Sequence, residues 1–221
     1  MNNMDIDFDK MIDNYLRREY KKKEIGKYRP SEIVSCLRKV WFSYLYPKEI
    51  SKEVIRIFEA GNILHDFIAK VLKSEKNPEV ELLMSEVPIE IKKDDFTIFG
   101  KIDDLILIRI GDRKALVEVK SCKELPESPK MMNIQQIQLY MDSVKVYEGY
   151  LLYVEKNTLK TRAFKINYNK EIVDALMEKF DTLHKCLKNN VPPIPEGKIF
   201  KNLNYLCKNC EWKNECDSLG R

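Results

Sequence analysis

Two carboxylates and one lysine stand out because the sequence around them is apolar. Asp103 precedes the apolar run 105–108, and Glu118 and Lys120 alternate with valines in Leu-Val-Glu-Val-Lys. Alternate residues of a strand share one face, so this carboxylate and this ammonium group are expected side by side. Burying either charge alone would be costly, which favours a functional reason for keeping both. The alternative is an ordinary hairpin that carries Glu118 and Lys120 as a solvent-exposed pair.

The chemistry suited to these side chains is metal-dependent cleavage of a phosphodiester. Asp103 and Glu118, at neighbouring strand ends, can share Mg²⁺ or Mn²⁺, with the carbonyl of Val119 as a further oxygen ligand. The cation would acidify a bound water, and Lys120 would orient that water or stabilise the developing anion. An Asp followed by Glu-x-Lys on the next strand resembles the pattern of the PD-(D/E)xK nuclease superfamily.

Two further segments resemble the RecB-like branch of that superfamily. Gly61 to His65 matches a G-x-x-x-H segment that supplies a metal-coordinating histidine there, although a lone helical histidine is otherwise more often structural. Gln136 and Tyr140 match the Q-x-x-x-Y that follows the Glu-x-Lys strand, and their spacing puts them on one helix face. A generic polar face is a weaker interpretation, because all three glutamines of the chain lie at 135, 136 and 138. The resemblance implies a site composed of His65, Asp103, Glu118, Lys120, Gln136 and Tyr140.

The cysteines form a second group with chemical potential. Three of the six occur as Cys207-x2-Cys210-x5-Cys216. In a reducing compartment, clustered thiols indicate metal or cluster ligands rather than disulfides. Three thiolates are too few for a closed tetrahedral site, so a fourth ligand must come from Cys36, Cys122, Cys186 or His184. For Cys122 and Cys186 we favour simple packing as small apolar residues.

Cys36 together with the distant three-cysteine motif resembles the arrangement in AddB-type nucleases and in the CRISPR-associated Cas-four family. There the first cysteine precedes the nuclease core and three follow it, and together they bind a [4Fe–4S] cluster. Zinc would satisfy the same spacing, so the identity of the metal rests on the resemblance. Such a centre would be structural, since it closes a loop of about 170 residues. The implied ligands are Cys36, Cys207, Cys210 and Cys216.

The resemblance to the Cas-four family extends over residues 29–216. That family degrades single-stranded DNA from its ends and trims protospacer precursors for CRISPR adaptation. The resemblance therefore implies a DNA exonuclease with integrase proteins as partners. One departure is Asn133, at a position where related sequences often carry histidine. The alternatives are a repair or mobile-element nuclease without a CRISPR role, and a non-catalytic iron–sulfur subunit that binds DNA.

Composition narrows the class of protein further. The 39 basic residues exceed the 35 acidic ones by four, an excess too small to indicate either DNA or a protein as the partner. No apolar stretch approaches the roughly 20 residues that a membrane span needs. Residues 1–10 carry three aspartates and no apolar core of a signal peptide. The sequence thus predicts a cytoplasmic enzyme that does not associate with membranes.

Hydrophobic periodicity predicts an α/β fold in which helices flank a central mixed sheet, as in restriction-endonuclease-like proteins. The turns expected between strands are Gly111-Asp112 and Lys156-Asn157. Helices are predicted over 6–24, 31–46, 51–73, 130–144 and 170–188, with Pro30 ending the first, and strands over 80–91, 96–99, 101–110, 114–120, 147–155 and 161–168.

Three units are expected along the chain. Residues 1–28 form an amphipathic helix, whose basic run 17–23 is either a solvated face or a contact to DNA or a partner. Residues 29–191 form a RecB-like nuclease core. Its parts are a helical region 29–75, a sheet core 79–168 and a long helix 170–190. Residues 192–221 form a cysteine-rich tail that builds the iron–sulfur subdomain with Cys36.

Overall fold

The computed structural model describes residues 6–17 and 22–219. A mixed β-sheet lies between helices, which confirms the expected fold class. The strands are β1 (Lys27–Tyr28), β2 (Val80–Lys92), β3 (Thr97–Ile108), β4 (Arg113–Cys122), β5 (Glu148–Glu155) and β6 (Thr161–Asn167). The helices are α1 (Phe8–Leu16), α2 (Pro30–Ile33), α3 (Leu37–Leu45), α4 (Lys52–Leu72), α5 (Met131–Val144), α6 (Lys170–Lys188), α7 (Glu196–Ile199), a 3-10 helix (Lys201–Cys207) and α8 (Lys213–Ser218).

The sheet has a parallel pair at its centre, and the short β1 also runs parallel to β3. Strands β2, β3 and β4 follow one another antiparallel, β5 lies parallel to β4, and β6 returns antiparallel to β5. A parallel pair needs a long crossover, and α5 provides it between β4 and β5. Helix α5 therefore begins at the end of the sheet where β4 and β5 end.

The pairing between β3 and β4 stops partway along both strands. The last pair is Asp104 with Val117, whereas Thr97 and Ile98 of β3 pair with β1 on that same edge. Residues 118–122 of β4 pair only with β5 among the strands described. The two strands thus diverge and leave an opening between residues 99–103 and 118–122, which we call the notch.

Each face of the sheet is covered by a different helix. On one face Leu64 of α4 packs with Val117 and Val119 of β4. On the other face Ile137 of α5 packs with Leu151 of β5. Helix α6 lies over α5, so helices and sheet form layers with the central strands buried. This burial fixes β4, the strand that carries Glu118 and Lys120.

Helix α4 is only partly covered by the rest of the protein. Leu64 and Ile68 are buried, but Ile57, Phe58 and Ile63 are each more than half exposed. Its bounds agree closely with the prediction, because Ser51 caps its first turn through the N–H of Val54. Among the helices of residues 6–17 and 22–219, none has the length and apolar character to cross a membrane.

The predicted first helix is longer than the observed one. Helix α1 ends at Leu16, residues 22–24 are not helical, and residues 18–21 of the basic run lie outside the described part of the chain. Within Phe8–Leu16 no side chain is buried, so little packing supports extension into a run of like charges. Ion pairs of Arg56 with Asp9 and Asp13 hold α1 against α4.

The predicted second helix is broken, and Pro30 begins a helix instead of ending one. Pro30 occupies the first turn of α2, where its missing N–H costs nothing. Cys36 is extended and precedes α3, whose Leu37 N–H donates to the carboxylate of Glu196 at 2.6 Å. An anion at a helix N-terminus is stabilising, so this contact accounts for a new helix starting at Leu37.

The strands predicted over 96–99 and 101–110 are one continuous strand, β3. Gly100 lies inside it and does not interrupt it. A Cβ atom on Gly100 would lie 3.2 Å from the ring of Pro30 and 3.6 Å from Tyr140. Glycine here allows close approach of α2 and α5 to the strand beside the notch.

The space around two glycines, Gly149 of β5 and Gly61 of α4, predicts opposite effects of their substitution by alanine. A Cβ on Gly149 would lie 2.7 Å from the buried Ile137, so Gly149→Ala is expected to destabilise the fold by about 1–3 kcal/mol. At Gly61 of α4 the nearest atom, Ser121 Oγ, is 3.7 Å away. Gly61→Ala is therefore expected to stabilise by up to about 1 kcal/mol through helix propensity. Urea unfolding measures both, and equal effects would contradict the packing.

Candidate active site

Asp103 and Glu118 face each other across the notch. Their positions follow directly on the last β3–β4 pair, Asp104 with Val117. The N–H of Val119 donates to Oδ2 of Asp103 at 2.7 Å, in place of a carbonyl of β3. The bond fixes the carboxylate of one strand to the backbone of the other. The structure thus brings together the two carboxylates that the sequence singles out.

Glu118 is buried and only half of its carboxylate is hydrogen-bonded. Its side chain is 3% exposed, and Oε1 accepts from Lys120 Nζ at 2.7 Å. Oε2 is buried and has no hydrogen-bond partner within the described residues. Burial, and secondly the charge of Asp103, raise the pKa of Glu118 to about 7. The solvent-exposed hairpin pair considered above is therefore wrong.

Lys120 is held between Glu118 and α5. Its Nζ donates to Oε1 of Gln136 at 3.0 Å, and Nε2 of Gln136 donates to the hydroxyl of Tyr140 at 2.9 Å. Burial alone would lower the pKa of Lys120, but the carboxylate of Glu118 outweighs it and the pKa is raised. Burial, and next the charge of Glu118, raise the pKa of Tyr140 above its usual value. The ammonium group of Lys120 is thus kept charged and is held by hydrogen bonds to Glu118 and Gln136.

His65 reaches the same site from α4. Its Nδ1 lies 3.3 Å from Oδ1 of Asp103, and its side chain is 35% exposed. Burial would lower the pKa of His65, but the hydrogen bond and charge of Asp103 raise it overall. Asp103 is consequently held on both oxygens, by His65 and by the N–H of Val119.

Other polar residues near the notch have structural contacts. The side chain of Asp104 lies on the opposite face of β3 from that of Asp103, and its Oδ1 accepts from Ser85 Oγ at 2.6 Å. The hydroxyl of Tyr153 accepts from the N–H of Lys130 at 3.0 Å and from Nδ2 of Asn133 at 2.8 Å. These contacts of Ser85 and Tyr153 were not predicted, because each joins elements whose pairing no local pattern reveals. Asn133 thus anchors the start of α5 to β5.

The donor set at the notch fits a hard divalent cation. Across residues 6–17 and 22–219, no three His, Cys, Asp or Glu side chains are already arranged as a metal site. Mg²⁺ does not require three, since it is commonly held by one or two carboxylates and keeps several waters. Asp103 and Glu118 supply that number, and the buried Oε2 of Glu118 is an acceptor that a cation would satisfy.

The four cysteines singled out above line one cavity of about 180 Å³. Cys36 reaches it from the break between α2 and α3, and Cys207, Cys210 and Cys216 reach it from the tail. None of the six cysteines, all in the described part, forms a disulfide. Among the described residues, these thiols are not already arranged as a set of metal ligands.

The tail is fastened to α3 around this cavity. Trp212 stacks on Phe42 at 6.5 Å between ring centroids and donates from Nε1 to the carbonyl of Tyr46 at 3.0 Å. A Cβ on Gly197 would lie 2.6 Å from Cys207 Sγ, so glycine is required for this approach. The other candidates for a fourth ligand, Cys122, Cys186 and His184, do not line this cavity. Four thiols around one cavity are a donor set that suits an iron–sulfur cluster or zinc.

Comparison with known proteins agrees with this geometry. The family model of the PD-(D/E)XK nuclease superfamily matches residues 8–217, and the chain therefore belongs to this superfamily. It is a nuclease, a hydrolase of phosphodiester bonds. No curated protein matches the chain in sequence.

Three solved structures share the fold. The crystal structure of SSO0001 is similar with a TM-score of 0.61 and 24% identity over 94% of this chain and 92% of that one. A phage-related exonuclease from Haemophilus somnus 129PT has a TM-score of 0.53 and 14% identity over 80% and 97%. LHK-Exo of Laribacter hongkongensis in complex with dAMP has a TM-score of 0.51 and 15% identity over 89% and 96%.

Two buried glutamines of α5 allow a matched test of the site. Gln136 holds Lys120, whereas Gln138 binds the carbonyl of Asn167 and the N–H of Asn169, away from the notch. Gln136→Leu and Gln138→Leu are each expected to destabilise by about 1–3 kcal/mol through unsatisfied partners. Only Gln136→Leu is expected to lower nuclease activity, by about tenfold or more, because Lys120 loses its fixed position. Comparable activities at matched folded fractions would contradict this assignment.

Proposed function

We propose that this chain is a metal-dependent DNA exonuclease that acts on single-stranded ends. The observation that carries the proposal is the pair Asp103 and Glu118 in the notch, with Oε2 of Glu118 buried and unpaired within the described chain. Two structures of the same fold are named exonucleases, and one of them contains dAMP, a deoxynucleoside monophosphate. A DNA substrate and release of mononucleotides from an end are in keeping with both.

In the proposed mechanism the chain supplies the ligands and the positioning groups. The proposed ligands of Mg²⁺ or Mn²⁺ are His65, Asp103, Glu118 and the carbonyl of Val119. The bound cation would lower the pKa of a coordinated water and neutralise charge on the phosphate. Lys120, kept charged by Glu118, would orient the attacking water and stabilise the negative charge that develops.

Gln136 and Tyr140 act through Lys120 in this proposal. The amide of Gln136 accepts from Lys120 and donates to Tyr140, so the three groups form one hydrogen-bonded chain on the α5 side of the notch. Because burial disfavours ionisation of Tyr140, its hydroxyl remains a neutral partner. These hydrogen bonds limit the rotamers of Lys120 and keep its ammonium group directed at the carboxylates.

We also propose a [4Fe–4S] cluster bound by Cys36, Cys207, Cys210 and Cys216. Support comes from the resemblance to the Cas-four family and from the shared cavity of these four thiols. Arg38 lies beside the cavity, with Nη1 4.0 Å from Cys216 Sγ, and a guanidinium would offset part of the thiolate charge. The cluster would hold the tail against α3, and zinc is the alternative occupant.

The biological role that we propose is trimming of protospacer precursors in CRISPR adaptation, together with the integrase. The motif set from His65 to Cys216 supports it through the family resemblance. A repair or mobile-element nuclease is the second candidate, favoured by the similarity to a phage-related exonuclease. Duplexes with single-stranded overhangs, incubated with and without an adaptation integrase, discriminate the two. Trimming to a defined length only in the presence of the integrase supports a role in adaptation. Cleavage products that are the same with and without the integrase support the alternative.

Substitution of the two carboxylates tests the catalytic assignment. Asp103→Ala and Glu118→Ala are each expected to lower cleavage of single-stranded DNA by at least about 100-fold, because both hold the cation. Lys120→Ala is expected to lower the rate of cleavage but to leave the affinity for the metal ion, measured by titration calorimetry, roughly unchanged. Asp104→Asn is the control, since Asp104 is bound to Ser85 and is not one of the proposed ligands. Near-normal cleavage by the Asp103 or Glu118 variant would refute the site.

The cluster proposal assigns opposite outcomes to chemically identical substitutions. Anaerobically purified protein is expected to be brown, with about four iron and four sulfide per chain and broad absorbance near about 400 nm. Cys36→Ser, Cys207→Ser, Cys210→Ser and Cys216→Ser should each bleach it and lower thermal stability. Cys122→Ser and Cys186→Ser should keep the colour. Metal analysis that finds zinc and no iron would identify zinc as the cofactor with the same ligands. A brown Cys36→Ser protein would refute the ligand set.

A further inference from the structure

A second cavity, which we call the lysine cavity, opens beyond the catalytic strand. It has a volume of about 530 Å³ and is lined by Ser121, Cys122, Lys123, Glu124, Lys130 and Lys156. These residues come from the end of β4, the loop that follows, the start of α5 and the end of β5. In α/β sheets, ligands bind at the carboxyl ends of parallel strands, and β4 and β5 form the central parallel pair of this sheet.

The lining of the lysine cavity carries more positive than negative side chains. Lys123, Lys130 and Lys156 form no ion pair with any residue of 6–17 and 22–219, whereas nearby Lys120 is paired with Glu118. Three lysines and the single carboxylate of Glu124 leave a net charge of +2 (3 − 1) on the lining. Glu155, opposite Cys122 on β5, offsets part of this charge, and the remaining excess on a concave surface favours an anionic ligand.

The backbone that presents these lysines is fixed on two sides. The N–H of Lys156 donates to the carbonyl of Cys122 at 3.0 Å, which joins the ends of β4 and β5. The N–H of Lys130 donates to the hydroxyl of Tyr153 at 3.0 Å, which ties the start of α5 to β5. The 14-residue α5 also begins at this cavity, and the first amides of a helix add partial positive charge.

The cavity lies one strand step from the proposed reaction centre. Glu118, Lys120 and Cys122 alternate along β4 and share one face, so Cys122 follows Lys120 by about 7 Å. A DNA strand that has its scissile phosphate at Asp103 and Glu118 and follows β4 would therefore bring a neighbouring phosphate within reach of the lysine cavity. Lysine is a common phosphate ligand, acting as a point charge.

We propose that the lysine cavity binds a phosphate group of the DNA strand adjacent to the scissile phosphodiester, with Lys130 and Lys156 as its principal contacts. This inference rests on the proposed DNA substrate and adds a substrate-positioning site to it. The bound phosphate fixes the register of the strand, so that the next phosphodiester lies at the carboxylates. Base identity plays no part in such a contact.

Steady-state kinetics of the double variant Lys130→Gln/Lys156→Gln tests the site. We expect KM for a single-stranded oligonucleotide to rise about tenfold or more with kcat within about twofold. Each phosphate that is no longer neutralised on a single strand reduces the slope of log affinity against log salt by about 0.7, so loss of this one phosphate site reduces it by about that amount. Inhibition by inorganic phosphate should weaken in parallel. Lys114→Gln, at the opposite end of β4, is the control and should leave all three quantities unchanged.

The outcomes separate this inference from the proposed function. If the wild-type protein does not cleave DNA, the proposed function fails. If it does, and the double variant keeps the wild-type KM, salt slope and phosphate inhibition, the lysine cavity is not a phosphate site. A fall in kcat at constant KM also overturns it. Oligonucleotides with and without a terminal phosphate identify the source: a larger KM effect on the phosphorylated end assigns a terminal phosphate, and equal effects assign a backbone phosphate.

Discussion

The site depends on one hydrogen bond, from the N–H of Val119 to the carboxylate of Asp103. Where β3 leaves β4, backbone groups lose their strand partners, and a buried N–H without an acceptor would be costly. Asp103 satisfies that donor from the other strand. The same divergence that opens the sheet therefore fixes a carboxylate next to Glu118. Strand β1 takes the place of β4 along β3, which keeps the strand paired below the notch.

The charges in the notch are stabilised mainly by one another. Glu118 and Lys120 are buried together, and removing one partner of such a pair leaves an uncompensated charge. Burial, and secondly the negative charge of Asp103, raise the pKa of Glu118 to about 7, so Lys120 does not fully compensate this carboxylate. The protein alone thus leaves Oε2 of Glu118 buried and without a hydrogen-bond partner among its described residues. A ligand that binds only the folded state stabilises it, and a divalent cation here would also relieve this imbalance.

Sequence patterns predicted the parts of the fold that are determined locally. The bounds of α6 agree with the prediction of 170–188, because its apolar residues recur at helical spacing and Asn169 caps its first turn. The residues proposed for the site do lie together, since strand alternation and helix spacing determine their faces. The break at Cys36 was missed because its cause, the contact of Leu37 with Glu196, joins residues 159 apart in sequence. No periodicity encodes such a contact.

The break at Cys36 also explains how the cysteine-lined cavity and the notch are physically connected. The short α2 lies between them: its Pro30 packs on Gly100 of β3, close to Tyr140, and three residues after its end comes Cys36. Tyr140 accepts from Gln136, which in turn holds Lys120. The N–H of Leu37, the residue after Cys36, donates to Glu196 and so connects this end of α2 to the segment that leads into the tail. A series of contacts therefore leads from the cysteine-rich tail through α2 and α5 to Gln136, the residue that holds Lys120.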